Sequence, residues 1–353
     1  MTQESDAAKI DVVGEQLIKI LACPLDRGAL MASGETLLCE QGHTFAVEGG
    51  IPIFTDAVRR EATPKNMEAS PREPGRESDI DPFVDDWLVN TNGNLYWPAR
   101  GRLARYPIPR FPLAATRAAK VLVDVGCSWG RWSVAAARAG FFPIGLDVHI
   151  DALAAAGRVS RQLAVQTAQV CGDVEVLPFR SRSVDVVFSY SVLQHIDRAK
   201  VRRFLSEAAR VLKPGGLCLV QLPNALGAYS ILRRAARGFR DASPGTFEMR
   251  YWTRDGIRRA IESAGLRDLR IRADGFFSQN PQLSDLDLLS APGKLVVLSS
   301  YAGCKLAEAL PMLVRVADSL WVEAQAPAND PADVHSELAT PKARPSQSED
   351  GAP

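Results

Sequence analysis

Between Val121 and Pro223 the chain repeats one pattern: a short unbroken apolar run, then a stretch with helical spacing. VLVDVG (121–126) reads as a strand buried on both faces, and RWSVAAARAG (131–140) as an Ala-rich helix stopped by Gly140. PIGLDV (143–148) is a second strand, followed by a helix over 150–164. AQVCGD (168–173) gives a third strand and SVDVVFSYSV (183–192) a fourth. In VRRFLSEAARVL (201–212), Phe204, Ala208 and Val211 share one helical face; KPGG then turns sharply into a fifth strand, LCLVQLP (217–223). A strand apolar along its whole length has no wet face, so crossover helices must cover both sides of the sheet. The pattern predicts an α/β fold, a doubly wound parallel sheet. Downstream, RDGIRRAIESAG (254–265) reads as a helix, and LRDLRIRADGFF and DSLWVEAQA as strands flanking a helical segment near 294–310.

The rest of the chain bounds what surrounds that sheet. Its 353 residues exceed one ordinary domain, and 46% apolar with 24% charged residues excludes a disordered chain, a collagen-like fibre or a disulfide-stapled scaffold. A formal charge of +1, from 42 Lys+Arg against 41 Asp+Glu, argues against a dedicated nucleic-acid coat. Of six cysteines, only Cys23 and Cys39 stand in polar, turn-rich surroundings. Nothing there reads as a disulfide framework, so a reducing cytoplasm is expected. MTQESDAAKI has no basic segment followed by an apolar core, as a secretory signal would, and no run approaches the roughly 18 apolar residues that span a bilayer. The oligomeric state stays open, a homodimer included. Four zones are expected: a compact module at 15–56, a Pro-, Glu- and Arg-rich linker at 57–79, the large α/β domain at 80–325, and a polar, Pro-rich disordered tail at 326–353. No internal repeat is present.

The first strand-to-helix turn reads Asp124-Val125-Gly126-Cys127-Ser128-Trp129-Gly130-Arg131. Glycine lets backbone approach a ligand, and the helix that follows offers unpaired N–H groups. Asp147 ends the second strand, where a carboxylate can accept both hydroxyls of a ribose. Gly172-Asp173 ends the third, where Asp173 can accept from an adenine amino group and the Val174 N–H can meet a ring nitrogen. Helix capping is the other reading of both acids. A nicotinamide-binding turn would read G-x-G-x-x-G; the spacing here is G-x-x-x-G, with Arg131-Trp132 at the helix start.

DVGCSWG, GDVEVLP and LKPGG, in that order and at compatible spacing, resemble the class I S-adenosylmethionine-dependent methyltransferases, in particular the group with D-x-G-C-G-x-G, G-D-x-x-x-L-P and L-K-P-G-G segments. The resemblance covers about residues 119–225 and extends loosely to 325. It implies a seven-stranded sheet with S-adenosyl-L-methionine as cofactor. By carry-over, Asp124 organises the turn near the methionine amino group, and Gly126, Cys127, Ser128 and Gly130 line it. Asp147 and Val148 take the ribose, and Gly172, Asp173 and Val174 hold the adenine. Ser189, Tyr190 and Ser191 lie near the sulfonium and the acceptor, with Gln194 as a further cofactor contact. One departure stands out: Ser128 replaces the middle glycine. His195, in SVLQHI, is either the general base for an oxygen or nitrogen acceptor or a structural group that shapes the pocket.

Near the N-terminus, Cys23, Asp26, Cys39 and His43 give C-x2-D-x12-C-x3-H, close to the paired knuckles of a tetrahedral zinc site. CPLDRGAL and LLCEQGHTFAVEGGIPIF resemble the small zinc-ribbon methyltransferase activators and the N-terminal zinc motif of ribosomal RNA guanine methyltransferases, both of which have cysteine where Asp26 stands. A zinc site and a degenerate ribbon without metal are both open. Residues 224–252 form an insertion with a basic amphipathic helix, ILRRAARGFR; 275–289 and Asp81–Tyr106 are two further lid candidates. The leading expectation is a methyltransferase acting on a small biosynthetic intermediate. An RNA methyltransferase and a non-catalytic cofactor-binding scaffold are the alternatives.

Overall fold

The computed structural model describes residues 14–60, 79–115, 120–277 and 282–328. Residues 61–78 of the expected linker and the expected tail from 329 onward lie outside the described residues. The chain opens with α1 (Glu15–Ile20) and a four-stranded antiparallel sheet, β1 (Leu30–Ser33), β2 (Thr36–Cys39), β3 (Thr44–Glu48) and β4 (Ile51–Pro52), in sequential order. Helix α2 (Pro82–Asn92) starts with Pro82 in its first turn, and the Asp81 carboxylate accepts from Phe83 N at 3.0 Å.

The large sheet contains β5 (Lys120–Val125), β6 (Phe141–Asp147), β7 (Ala168–Cys171), β8 (Val184–Ser189), β9 (Leu212–Pro223), β10 (Arg267–Gly275) and β11 (Ser319–Gln325). Their order is β10-β11-β9-β8-β5-β6-β7, with β11 antiparallel to both of its neighbours and the other pairs parallel. The connecting helices are α3 (Arg131–Arg138), α4 (Ile150–Gln162), α5 (Arg198–Val211), α6 (Ala228–Ala236), α7 (Arg254–Ser263) and α8 (Ala291–Ala309). The doubly wound, seven-stranded expectation is borne out.

Two apolar clusters cover the sheet, one on each face, as the pleat of β5 requires. Val121, Val123 and Val125 pack with Phe204 and Leu205 of α5 and Ile257 and Ile261 of α7. Leu122, pointing the other way, joins Phe188, Leu219, Val134 of α3, Val159 of α4 and Val84 and Leu88 of α2. Leu17 of α1, Leu37 of β2, Val47 of β3 and Phe54 just after β4 belong to the first cluster, beside Leu177 and Phe179. Ile53 lies parallel to Cys171 at the β7 edge, and Phe54 N donates to Cys171 O at 2.8 Å.

KPGG differs from the expected turn. Lys213–Gly216 lie inside β9: Leu212 pairs with Val184 and Leu217 with Val186, so the extra residues form a bulge. Gly215 takes φ +72°, and a Cβ on Gly216 would meet Lys213 O at 2.8 Å, which accounts for both glycines.

Candidate active site at the carboxyl ends of the strands

A cleft of about 1280 Å³ opens above the tips of β5, β6, β7 and β8. Gly126, Cys127 and Ser128 form one wall; Asp147 with Val148, and Gly172 with Asp173 and Val174, form the next. Tyr190, Ser191, Gln194 and His195 close the opposite side. Gly126 has φ +76°, and a Cβ there would run into Val192 Cγ2 at 2.3 Å. Ser128 also takes a left-handed φ, +49°. Serine thus adopts the conformation that a glycine would adopt freely, at a strain of about 1 kcal/mol, and its departure from the family pattern leaves the turn intact. Its backbone N donates to Asp147 Oδ2 at 2.9 Å, while its hydroxyl is buried without a partner.

The two acidic turns are tied together. Gly172 N donates to Asp147 O at 3.0 Å. Asp147 Oδ1 accepts from His149 N at 3.0 Å, and Asp173 Oδ1 accepts from Glu175 N at 2.9 Å. Both carboxylates therefore cap their own turns and still present lone pairs to the cleft; capping and ligand binding are compatible readings here.

Three expected residues stand behind this wall. Asp124 faces away from the cleft: it is buried under α3, where Ser133 Oγ donates to its Oδ2 at 2.7 Å, and burial pushes its carboxyl up to about 7. Ser189 Oγ donates to Val125 O at 2.9 Å. Gly130 packs on Ala156, 3.0 Å from where its Cβ would be. The pleat and the packing of α3 turn these three inward, so they shape the turn without lining it.

His195 stacks on Phe247, ring centroids 3.9 Å apart and nearly parallel. Its Nδ1 lies 3.0 Å from Phe247 O, which fixes the proton on Nδ1 and leaves the Nε2 lone pair facing Gln194 Nε2 at 3.1 Å. Burial pushes the His195 pKa below its usual value, so the ring is neutral near pH 7. Buried Arg250 holds this side together: it donates to the carbonyls of His195 (3.1 Å), Thr246 (2.9 Å), Glu248 (3.0 Å) and Ser243 (2.7 Å), and pairs with Asp197 at 2.6 Å.

Sequence reasoning missed several polar groups here. Tyr190 OH donates to Asp274 Oδ2 at 3.2 Å; Ser319 Oγ donates to the same oxygen at 2.6 Å and accepts from Gln221 Nε2 at 2.8 Å. Burial pushes Asp274 up to about 6. At the other end, Arg131 pairs with fully buried Asp285, which also accepts from Tyr96 OH at 2.6 Å; Arg131 Nε is buried without a partner. These contacts join residues up to 189 positions apart, and no local motif signals them. Each lid candidate contributes: Trp87 and Tyr96 from Asp81–Tyr106, Phe247 and Met249 from 224–252, and Gln282 from 275–289, of which 278–281 lie outside the described residues.

Away from the cleft, Cys23, Asp26, Cys39 and His43 converge, their ligand atoms within 4.8 Å of one another. Cys23 Sγ and His43 Nδ1 are 3.5 Å apart, Cys39 Sγ and His43 Nδ1 3.3 Å, Cys39 Sγ and Asp26 Oδ2 3.1 Å, and His43 Nδ1 and Asp26 Oδ2 3.0 Å. A tetrahedron with zinc bonds of about 2.0–2.3 Å has edges of roughly 3.3–3.8 Å. The donor types suit that ion; two of the four distances lie in that range and two are a few tenths of an ångström shorter.

Comparison with known proteins agrees with this geometry. Residues 123–220 match the family described as methyltransferase domain. Those residues therefore carry a methyltransferase domain. The biotin biosynthesis bifunctional protein of Cellvibrio japonicus (strain Ueda107) is 34% identical over 149 residues, 42% of this chain and 28% of that protein. A protein of Mycobacterium tuberculosis (strain ATCC 25618 / H37Rv), named a probable S-adenosylmethionine-dependent methyltransferase, is 30% identical over 193 residues, 54% of this chain and 62% of its own length. The chain therefore spans less than two thirds of the length of these relatives. Among solved structures it is similar to the complex of the Haloferax volcanii Trm112 methyltransferase activator with a methyltransferase, at 20% identity and a TM-score of 0.44 over 71% of this chain and 99% of that one.

Proposed function

We propose that this chain transfers a methyl group from S-adenosyl-L-methionine to a small-molecule acceptor, with residues 80–325 as the catalytic unit and 15–56 as a zinc-ribbon-like module. One observation carries the reading: the turns bearing Asp147 and Asp173 are hydrogen-bonded to each other and face one cleft beside the left-handed Gly126–Ser128 turn. The buried, unpartnered Ser128 hydroxyl and Arg131 Nε fit a polar ligand at this end. A small acceptor is supported by relatives named for biotin and ubiquinone biosynthesis.

The cofactor, when bound, supplies an electrophilic methyl on a sulfonium. Asp147 and Val148 would hold the ribose, and Asp173 and Val174 the adenine. Methyl transfer is an in-line displacement, so much of the acceleration comes from positioning and from excluding water. Phe247, Trp87 and Tyr96 bring apolar surface to the cleft for that purpose. His195, neutral and free to accept at Nε2 once Gln194 turns aside, takes the proton of an oxygen or nitrogen acceptor. Zinc, held by Cys23, Asp26, Cys39 and His43, would pin the small sheet from which residues 51–60 run to the cofactor turns.

The test is calorimetry with S-adenosylhomocysteine, followed by turnover on metabolite and RNA pools. Asp147→Ala should weaken binding by roughly 1.5–3 kcal/mol, the usual worth of a hydrogen bond to a charged group. No heat with the wild-type chain would overturn the reading. Turnover confined to RNA would replace the acceptor class.

A further inference from the structure

Beside the cleft, α6 stands off the body: of its nine residues only Ser230 is buried, while Tyr229, Ile231 and Leu232 are exposed, Leu232 by 65%. A helix this short gains little from its own hydrogen bonds, so one with bare apolar side chains calls for a covering surface. Its first turn is joined to the segment after α8, Ala228 N donating to Val316 O at 2.9 Å. There Leu310, Met312 (71% exposed) and Val316 are bare. Helix α8, which packs on that segment, continues the apolar surface with Leu295, Leu298 and Leu306 on one helical face.

The charge on this surface is predominantly positive. Residues 224–240 and 291–317 hold seven arginines and lysines and a single carboxylate, Glu308, in a chain whose net charge is +1. Glu308 pairs with Lys305, and Glu248 neutralises Arg237. Among the described residues, Arg233, Arg240, Lys294 and Arg315 form no ion pair. Exposed apolar side chains interleaved with unneutralised cations are the pattern of a surface that lies on an anionic bilayer, where leucines enter the acyl boundary and cations meet the headgroups. No helix among the described residues is long and apolar enough to cross a membrane, so the docking would be peripheral.

We propose that this face docks on anionic lipid bilayers and that the methyl acceptor is an amphipathic molecule drawn from them. Ser230 and Arg233 of α6 also line the cleft, so the helix that carries Leu232 to the docked surface borders the cleft with its other side. The docking stands on the surface alone; the acceptor class rests on the methyltransferase reading.

The full chain is floated with vesicles of phosphatidylcholine alone and of phosphatidylcholine with about one third phosphatidylglycerol. Binding should be at least about tenfold tighter to the anionic vesicles, and weaken as salt is raised. The double variant Leu232→Glu, Met312→Glu should abolish flotation with melting temperature and S-adenosylhomocysteine affinity unchanged, and Arg240→Gln should weaken it several-fold. The docking is overturned by equal binding to both vesicles or to neither, or by flotation that survives the double variant. It is equally overturned by a soluble dimer that the double variant dissociates, or by capture on RNA in preference to lipid. Flotation without S-adenosylhomocysteine binding in the same preparation would sink the acceptor class and the methyltransferase reading, leaving the docking in place. Binding of that ligand without flotation would sink the docking alone.

Discussion

Asp124 and Asp147 sit on neighbouring strands, each near a strand tip, yet their surroundings differ completely. Asp147 reaches the cleft and accepts from two backbone N–H groups. Asp124 shares the inward face of Leu122, and α3 lies over it, so its carboxyl is dry except for Ser133. Sequence alone places both acids at the rim; the direction of a side chain one residue short of a strand end depends on the pleat and on what packs against it. The consequence is testable. With a folded pKa of about 7 against an unfolded value near 3.8, Asp124 takes up a proton on folding between those pH values. Its contribution is complete below pH 4 and is lost as pH rises through 7, by at most about 4 kcal/mol. Asp124→Asn keeps an acceptor for Ser133 and removes the titration. The variant's melting temperature should therefore fall less than the wild type's between pH 5 and 8; parallel profiles would mean that Asp124 is charged throughout.

At the scale of elements, periodicity located the strands and helices of the α/β domain well, because each is long enough for its buried face to repeat. KPGG was one exception, its glycines reading as a turn where the β8 pairing absorbs them as a bulge in β9, and α2, read only as part of a lid candidate, was another. Residues 243–250 carry no periodicity, and Arg250 there looks like any surface cation. The fold buries it and surrounds it with four carbonyls and Asp197. Arg250→Met should cost about 2–4 kcal/mol, because those carbonyls and Asp197 would be left without their donor. Loss of the Phe247 stack on His195 should accompany it. Limited proteolysis would show new cleavage between 240 and 250, and the His195 pKa, measured by NMR, should rise toward its ordinary value as the ring becomes wetter. An intact loop with an unshifted His195 would assign that order to other contacts.

On the scale of the whole molecule, the N-terminal module and the α/β domain share one core and one hydrogen-bonded edge. Residues 51–60 leave β4, lie along β7, and reach the turn after β6, where Arg59 N donates to Val148 O at 2.8 Å and Ile150 N donates to Arg59 O at 3.1 Å. Stripping zinc from the proposed Cys23, Asp26, Cys39 and His43 site with a chelator should lower the melting temperature by several degrees and weaken S-adenosylhomocysteine binding, because the turn next to Asp147 loses its anchor. An unchanged melting curve and affinity, or protein purified without zinc, would favour a ribbon held by packing alone. The four candidate ligands were legible as a spacing, since both pairs sit on short turns where separation in sequence is close to separation in space. The glycine turn, the two rim acids and the order of the elements were legible for the same reason: each is set by a few adjacent residues. What tertiary structure alone decided was which way those residues face and what meets them. The Asp274–Tyr190–Ser319 network, the Arg131–Asp285–Tyr96 cluster and the module's grip on β7 and the turn after β6 all join segments far apart in the chain. Only the packing of the sheet and its covering helices fixes their meeting.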